Sequence, residues 1–144
     1  MIENLIIRKY NISDEESWLK CRLISFHDSA YYDDVYTKKP VFNNSSLELV
    51  AELNGKIVGI AHYRTMPRPI KGQYIGFLDD LFVEPEFRGQ KIAQKLISHL
   101  KSLSKANNWN GIRWITHSSN ENAKKLYDKI ANNTGFELYE LKGN

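Results

Sequence analysis

A chain of 144 residues, 42% hydrophobic and 26% charged, is long enough for one domain with its own core and has the composition of an ordinary soluble globule. Its net charge of only +3, spread over scattered Lys and Arg, argues against a dedicated nucleic-acid binder, which carries a dense basic face. No apolar run approaches the length of a membrane span, and the opening Met1-Ile-Glu-Asn4 lacks the basic and apolar regions of a signal peptide. The lone Cys21 cannot form an internal disulfide, so a cytoplasmic setting is expected.

Leu5-Ile-Ile-Arg8 is a short apolar run and reads as a first strand. Ser13-Asp-Glu-Glu16 has the S-x-x-E form of a capping box, so a helix is predicted to begin there and run through Trp18 and Leu23. Ser25 to Ser46 reads as a helix plus loops, with Asp28, Asp33 and Asp34 among its acids. Leu47 to Leu53 alternates apolar and polar residues, Asn54-Gly55 follows, and Lys56 to Arg64 extends again. That pattern predicts a hairpin, because Asn-Gly supplies two positive φ angles. Thr65 to Gln73 holds Pro67, Pro69 and Gly72 and reads as a loop. Tyr74 to Val83 reads as a long strand stopped by Pro85. From Gly89 to about Asn107 apolar residues recur at helical spacing. Ile112 to Thr116 reads as a strand. Glu121 to about Ala131 reads as a helix with Ala123, Leu126, Tyr127 and Ile130 inward, and Phe136 to Leu141 as a final strand. The order β-α-(α)-β-β-β-α-β-α-β predicts an α/β domain over residues 1–144 with a mixed sheet.

The segment Leu78 to Leu96 carries the chemistry. It is a strand, then a turn containing Arg88-Gly89, then a helix. A helix start leaves backbone N–H groups without partners and a partial positive charge, so this one can hold a phosphate.

Arg88-Gly-Gln-Lys-Ile-Ala93 resembles the Arg/Gln-x-x-Gly-x-Gly/Ala phosphate turn of the GNAT acyltransferase superfamily, with Lys91 in place of the middle glycine. If Lys91 lies in the first helical turn it needs no positive φ. Asn120-x-x-Ala123-x-x-Leu126-Tyr127-x-Lys129, followed by Gly135-Phe136, is similar to a second segment of that family, with a small insertion at Ile130 to Thr134. The extended spacing resembles enzymes that acetylate small amines, amino acids or protein tails. The strand Leu78 to Val83 resembles that of diamine acetyltransferases.

The resemblance implies a mostly antiparallel sheet with a splayed parallel pair and flanking helices, and acetyl-CoA as cosubstrate. It implies that N–H groups of Gly89, Gln90, Lys91, Ile92, Ala93 and Gln94 grip the pyrophosphate behind Arg88. Gly89 would let the backbone come close, and Ala93 would let the helix sit tight on the sheet. Leu81, Phe82 and Val83 would bond the pantetheine amides as an added strand. Asn120, which opens the helix of Ala123, would reach the same arm. Lys91, Lys95 or Lys129 would meet the 3′-phosphate. Asp79 is the candidate base for the acceptor ammonium and Tyr127 the candidate acid for the thiolate.

Asp79 and Asp80 face opposite ways unless a bulge intervenes. His27, His62, His99 and His117 lack metal-ligand spacing, so no metal site is expected and each reads as surface or packing. The expected acceptor is a small-molecule amine. An amino acid would want Arg64, Arg68 or Lys71 for its carboxylate, and a polyamine would want Asp28, Asp33, Asp34 and Asp79. Acetylation of protein amines, or a CoA-binding or interaction module without catalysis, are the rival readings. No nucleic-acid or membrane partner is expected. A homodimer through Phe136 to Leu141 is a candidate assembly.

Overall fold

The computed structural model describes residues 4–25 and 47–143, so the helix and loops expected between Ser25 and Ser46, with Asp28, Asp33 and Asp34, lie outside the described residues. The described chain falls into two units, Met1–Trp114 and Ile115–Asn144.

The first unit is built on one five-stranded sheet in sequential order. β1 (Leu5–Lys9), β2 (Leu47–Leu53), β3 (Lys56–Arg68) and β4 (Gln73–Val83) form an antiparallel meander. β5 (Ile112–Trp114) joins β4 in parallel. α1 (Glu15–Ser25) and α2 (Ile92–Ala106) cover the two faces. Ile92, Leu96 and Leu100 of α2 pack with Leu49, Ala51, Ala61, Tyr63 and Leu78. Trp18 and Cys21 of α1 pack with Val50, Ile57 and Ile60. Alternation along β2 and β3 therefore reports which helix a side chain meets, since residues of both parities are buried.

The hairpin at Asn54-Gly55 forms as predicted, with φ of 50° and 83°. Three boundaries move. The box before α1 is made by Asn11 and Asp14, two residues ahead of the predicted Ser13 and Glu16. Asp14 is drawn there because it accepts the Asn11 N–H at 2.8 Å and both Arg8 guanidinium nitrogens at 2.7 Å. The predicted loop Thr65 to Gln73 shrinks to the turn at 69–72, because β3 runs on to Arg68, with Pro67 opposite Tyr74. Among the described residues the β2 register ends at Tyr63, so there this stretch of β3 has one ladder and a proline fits. β5 ends at Trp114 rather than Thr116.

The second unit holds α3 (Glu121–Ile130) and a tail without helix or strand. Ala123, Leu126 and Tyr127 are half-buried, whereas Ile130 is exposed, against expectation. Residues 136–141 form no strand, so the expected final strand is absent. Phe136 and Leu138 share one parity and Tyr139 and Leu141 the other. The segment thus has no single apolar face to bury, and all four side chains are exposed.

Candidate active site

β4 sets the geometry. Its register against β3 pairs Tyr63 with Leu78 and His62 with Asp80, so Asp79 is the extra residue of a bulge. β4 pairs with β5 only from Gly76 to Leu78. Past that point Asp79 to Val83 have no strand partner on the β5 side among the described residues, which leaves a main-chain edge of the kind an extended amide-bearing arm can join.

The bulge gives the two acids different surroundings. Asp79 lies against Arg64, whose Nε donates to both its carboxylate oxygens at 3.1 and 3.2 Å while the guanidinium stacks over Phe77. Asp80 turns to the α1 side, where its Oδ2 is 3.2 Å from His62 Nδ1. The other ring nitrogen of His62 meets Glu48 on β2. His62 is buried, with Trp18 packed edge-on at 5.8 Å. Sequence reading assigned His62 to surface or packing, because its partners stand on strands whose register only the folded sheet supplies.

The turn after β4 is held from several sides. Glu84 is buried, donates its N–H to the Val58 carbonyl and pairs with Lys56 at 3.2 Å. Arg88 donates from Nε to the Val83 carbonyl at 3.0 Å and lies over the Phe82 ring. Gly89 follows at φ 80° and Lys91 at φ 63°. Lys91 is thus the N-cap of α2 in left-handed backbone, not a first-turn residue without positive φ. The backbone keeps the glycine geometry with a lysine in place. The Lys91 side chain makes no capping bond, and the first helical bond is Lys95 N–H to the Lys91 carbonyl. The N–H groups of Ile92, Ala93 and Gln94 therefore precede the ladder and face the turn's opening. Among the described residues a Cβ on Gly89 would meet nothing within 4 Å, and its φ of 80° favours glycine. Close approach of α2 to the sheet occurs at Gly59, where a Cβ would stand 3.3 Å from Ile92 and 3.4 Å from Leu96. Ala93 is half-buried beside that contact.

In the second unit Asn120 caps α3 by accepting the Ala123 N–H at 3.3 Å, which leaves its amide NH₂ as a donor. Ala123 and Tyr127 stand one turn apart on one face of α3. Burial raises the Tyr127 hydroxyl above its usual pKa of 10, so it is a proton donor at neutral pH.

The profile of the Acetyltransferase (GNAT) family matches residues 6–131. A D-amino-acid N-acetyltransferase of Saccharomyces cerevisiae is 24% identical, over 98% of this chain and 92% of its own length. Among solved structures, the ribosomal-protein-alanine N-acetyltransferase of Brucella melitensis biovar Abortus 2308 superposes with a TM-score of 0.83 at 22% identity, covering 97% of this chain and 99% of its own. An aminoglycoside N-acetyltransferase, AAC(6')-Iy, solved with CoA, gives 0.77 at 19% identity over 97% and 95%.

Proposed function

Because the chain belongs to the acetyltransferase (GNAT) family and is an acetyl-CoA-dependent N-acetyltransferase, we propose that its acceptor is the primary amine of a small molecule, a free amino acid or a similar small amine. The observation that carries the cosubstrate side is the turn from Arg88 to Gln94, with two left-handed residues leading into an uncapped helix. Its main-chain donors suit a pyrophosphate, and the helix start adds positive potential. Arg88, tied to Val83, keeps the turn in register with β4. The edge of Leu81, Phe82 and Val83 suits the pantetheine amides. In this reading Asn120 bonds the pantetheine amides, Tyr127 protonates the leaving thiolate, and Lys91, Lys95 or Lys129 meets the 3′-phosphate.

The reaction requires a neutral amine. An alkylammonium has a pKa near 10.4, so it must lose a proton before its nitrogen attacks the thioester carbonyl. The C–N bond forms, the C–S bond breaks, and the thiolate takes a proton from a donor such as the Tyr127 hydroxyl. Holding amine and thioester together supplies much of the remaining rate.

The amino-acid preference rests on cations around the β3–β4 turn. Arg64 is engaged by Asp79, so Arg68 and Lys71 are the groups offered to an acceptor carboxylate. The yeast relative named for D-amino acids supports the same direction. Incubating purified protein and acetyl-CoA with amino acids, polyamines and peptides, and reading acetylated products by mass spectrometry, tests the proposal. Amino acids or similar small amines are the expected acceptors, and acetylation of peptides alone would overturn it.

A further inference from the structure

We propose that Lys56 is a positioning residue for the cosubstrate: its ammonium compensates the buried Glu84 carboxylate, and that clasp sets the main chain of the Arg88 to Gln94 turn in the form that receives a pyrophosphate. This deepens the acetyl-CoA reading of the turn and rests on it. Glu84 is a buried acid that the reaction does not use. Its side chain is 4% exposed and that of Lys56 is 52% exposed. The ammonium stands 3.2 Å from Glu84 Oε2, and Oε1 is buried with no hydrogen-bond partner among the described residues. A buried carboxylate with one oxygen unpaired depends on its cation, because the charge has been taken out of water. Among the described residues Lys56 is the only cation within ion-pair distance of it.

The clasp joins two turns. Lys56 opens β3 directly after Asn54-Gly55, whose left-handed backbone fixes where the strand starts, and it faces Leu53 across the hairpin. Glu84 stands just past the end of β4 and donates its N–H to the Val58 carbonyl at 2.9 Å. It precedes a single helical turn, Pro85–Phe87. The Glu84 carbonyl accepts the Phe87 N–H at 2.9 Å, and the Pro85 carbonyl accepts the Arg88 N–H at 3.3 Å. The Lys56 ammonium also lies over the Phe87 ring, 5.3 Å from its centroid. One cation therefore holds both ends of the stretch 84–87. The residues that follow at once are Arg88, Gly89 and the left-handed Lys91.

By charge alone Glu84 has the wrong sign for this place. A carboxylate near an anion site repels a pyrophosphate, so its presence is explained by what it holds rather than by what it attracts. Removing Lys56 leaves the buried charge uncompensated. The carboxylate must then turn toward water, and the backbone of 84–87 moves with it. A cradle of main-chain donors loses affinity when it is displaced by a fraction of an ångström, since the ligand must first reorder it. Lys56 acts through Glu84 and touches no reacting atom.

The test compares Lys56→Met, Lys56→Arg, Glu84→Gln and the double variant Lys56→Met/Glu84→Gln with wild type, by calorimetric titration of CoA, by steady-state kinetics and by melting temperature. Lys56→Met is expected to weaken CoA binding and raise KM for acetyl-CoA, each by about tenfold, with kcat at saturating acetyl-CoA unchanged. General loss of fold does not give that split. Lys56→Arg keeps the cation and is expected to restore CoA affinity. Glu84→Gln removes the tie together with the buried charge. It is expected to weaken CoA binding about threefold, and the double variant to bind no worse than Glu84→Gln. If Lys56→Met fails to fold, the double variant carries the comparison, because it buries no charge. Wild-type CoA affinity in folded Lys56→Met would overturn the clasp. So would tighter CoA binding by Glu84→Gln, which simple removal of a repelling charge predicts, or a double variant as weak as Lys56→Met. If folded wild type binds no CoA, the cosubstrate reading of the turn falls and the clasp with it, whereas wild-type behaviour of the variants removes the clasp alone.

Discussion

Lys91 occupies left-handed backbone at φ 63°, where a side chain costs about 1–2 kcal/mol. Lys91→Gly should therefore raise stability by about 0.5–1 kcal/mol once the added freedom of the unfolded chain is subtracted. Gly89→Ala should lower stability by about 1–2 kcal/mol and weaken CoA binding. Urea unfolding of both variants checks the pair, and equal stabilities would contradict it. Tyr127→Phe removes a hydroxyl that burial keeps protonated. Its kcat should fall about tenfold to a hundredfold with little change in KM for acetyl-CoA, and an unchanged kcat would remove Tyr127 from the chemistry. At this scale the motif residues were legible, because Arg88, Gly89, Asn120 and Tyr127 stand at fixed offsets in the chain. His62 was not, because no local spacing ties it to Glu48 or Asp80. The distinction between Asp79 and Asp80 also waited on the bulge.

Two contacts bind elements together strongly enough to measure. Arg8 on β1 holds Asp14 ahead of α1 and Glu52 on β2, at 2.7 and 2.9 Å. The Arg8 hydrogen bond holds the Asp14 carboxyl below its ordinary range, burial partly opposes this, and the Asn11 N–H assists. A carboxyl with a depressed folded pKa stabilises fully above its unfolded value, near 4, and loses that stabilisation as pH falls through the folded value. Asp14→Asn should therefore cost about 1–3 kcal/mol at pH 7 and progressively less below pH 4. Thermal unfolding across that range reads the difference, and a constant gap would contradict the assignment. The second contact is Gly76, where a Cβ would stand 2.8 Å from the Trp109 ring. That ring also packs on Tyr63 at 6.2 Å, so it has little room to move. Gly76→Ala should destabilise by about 1–3 kcal/mol, and a neutral effect in urea unfolding would show that the ring yields. Elements with one clear period, the Asn54-Gly55 hairpin and α2, were legible in sequence. The end of β3 was obscured by Pro67, which the strand accommodates opposite Tyr74. The absent strand at 136–141 was suggested by apolar content without a consistent face.

Across the molecule, a mixed sheet covered by a helix on each face is what the alternation of strand and helix patterns predicted. The sheet's usefulness lies where it stops being regular. β5 ends opposite Leu78, β4 bulges at Asp79, and the chain turns through left-handed residues into α2. All three departures fall in one stretch of sequence, Leu78 to Ile92. None of the described helices is long and apolar enough to cross a membrane. Titrating coenzyme A into the folded protein in a calorimeter tests the central claim most directly. Saturable one-to-one binding, weakened by Gly89→Ala, is the expected result; absence of saturation in folded wild-type protein would contradict it.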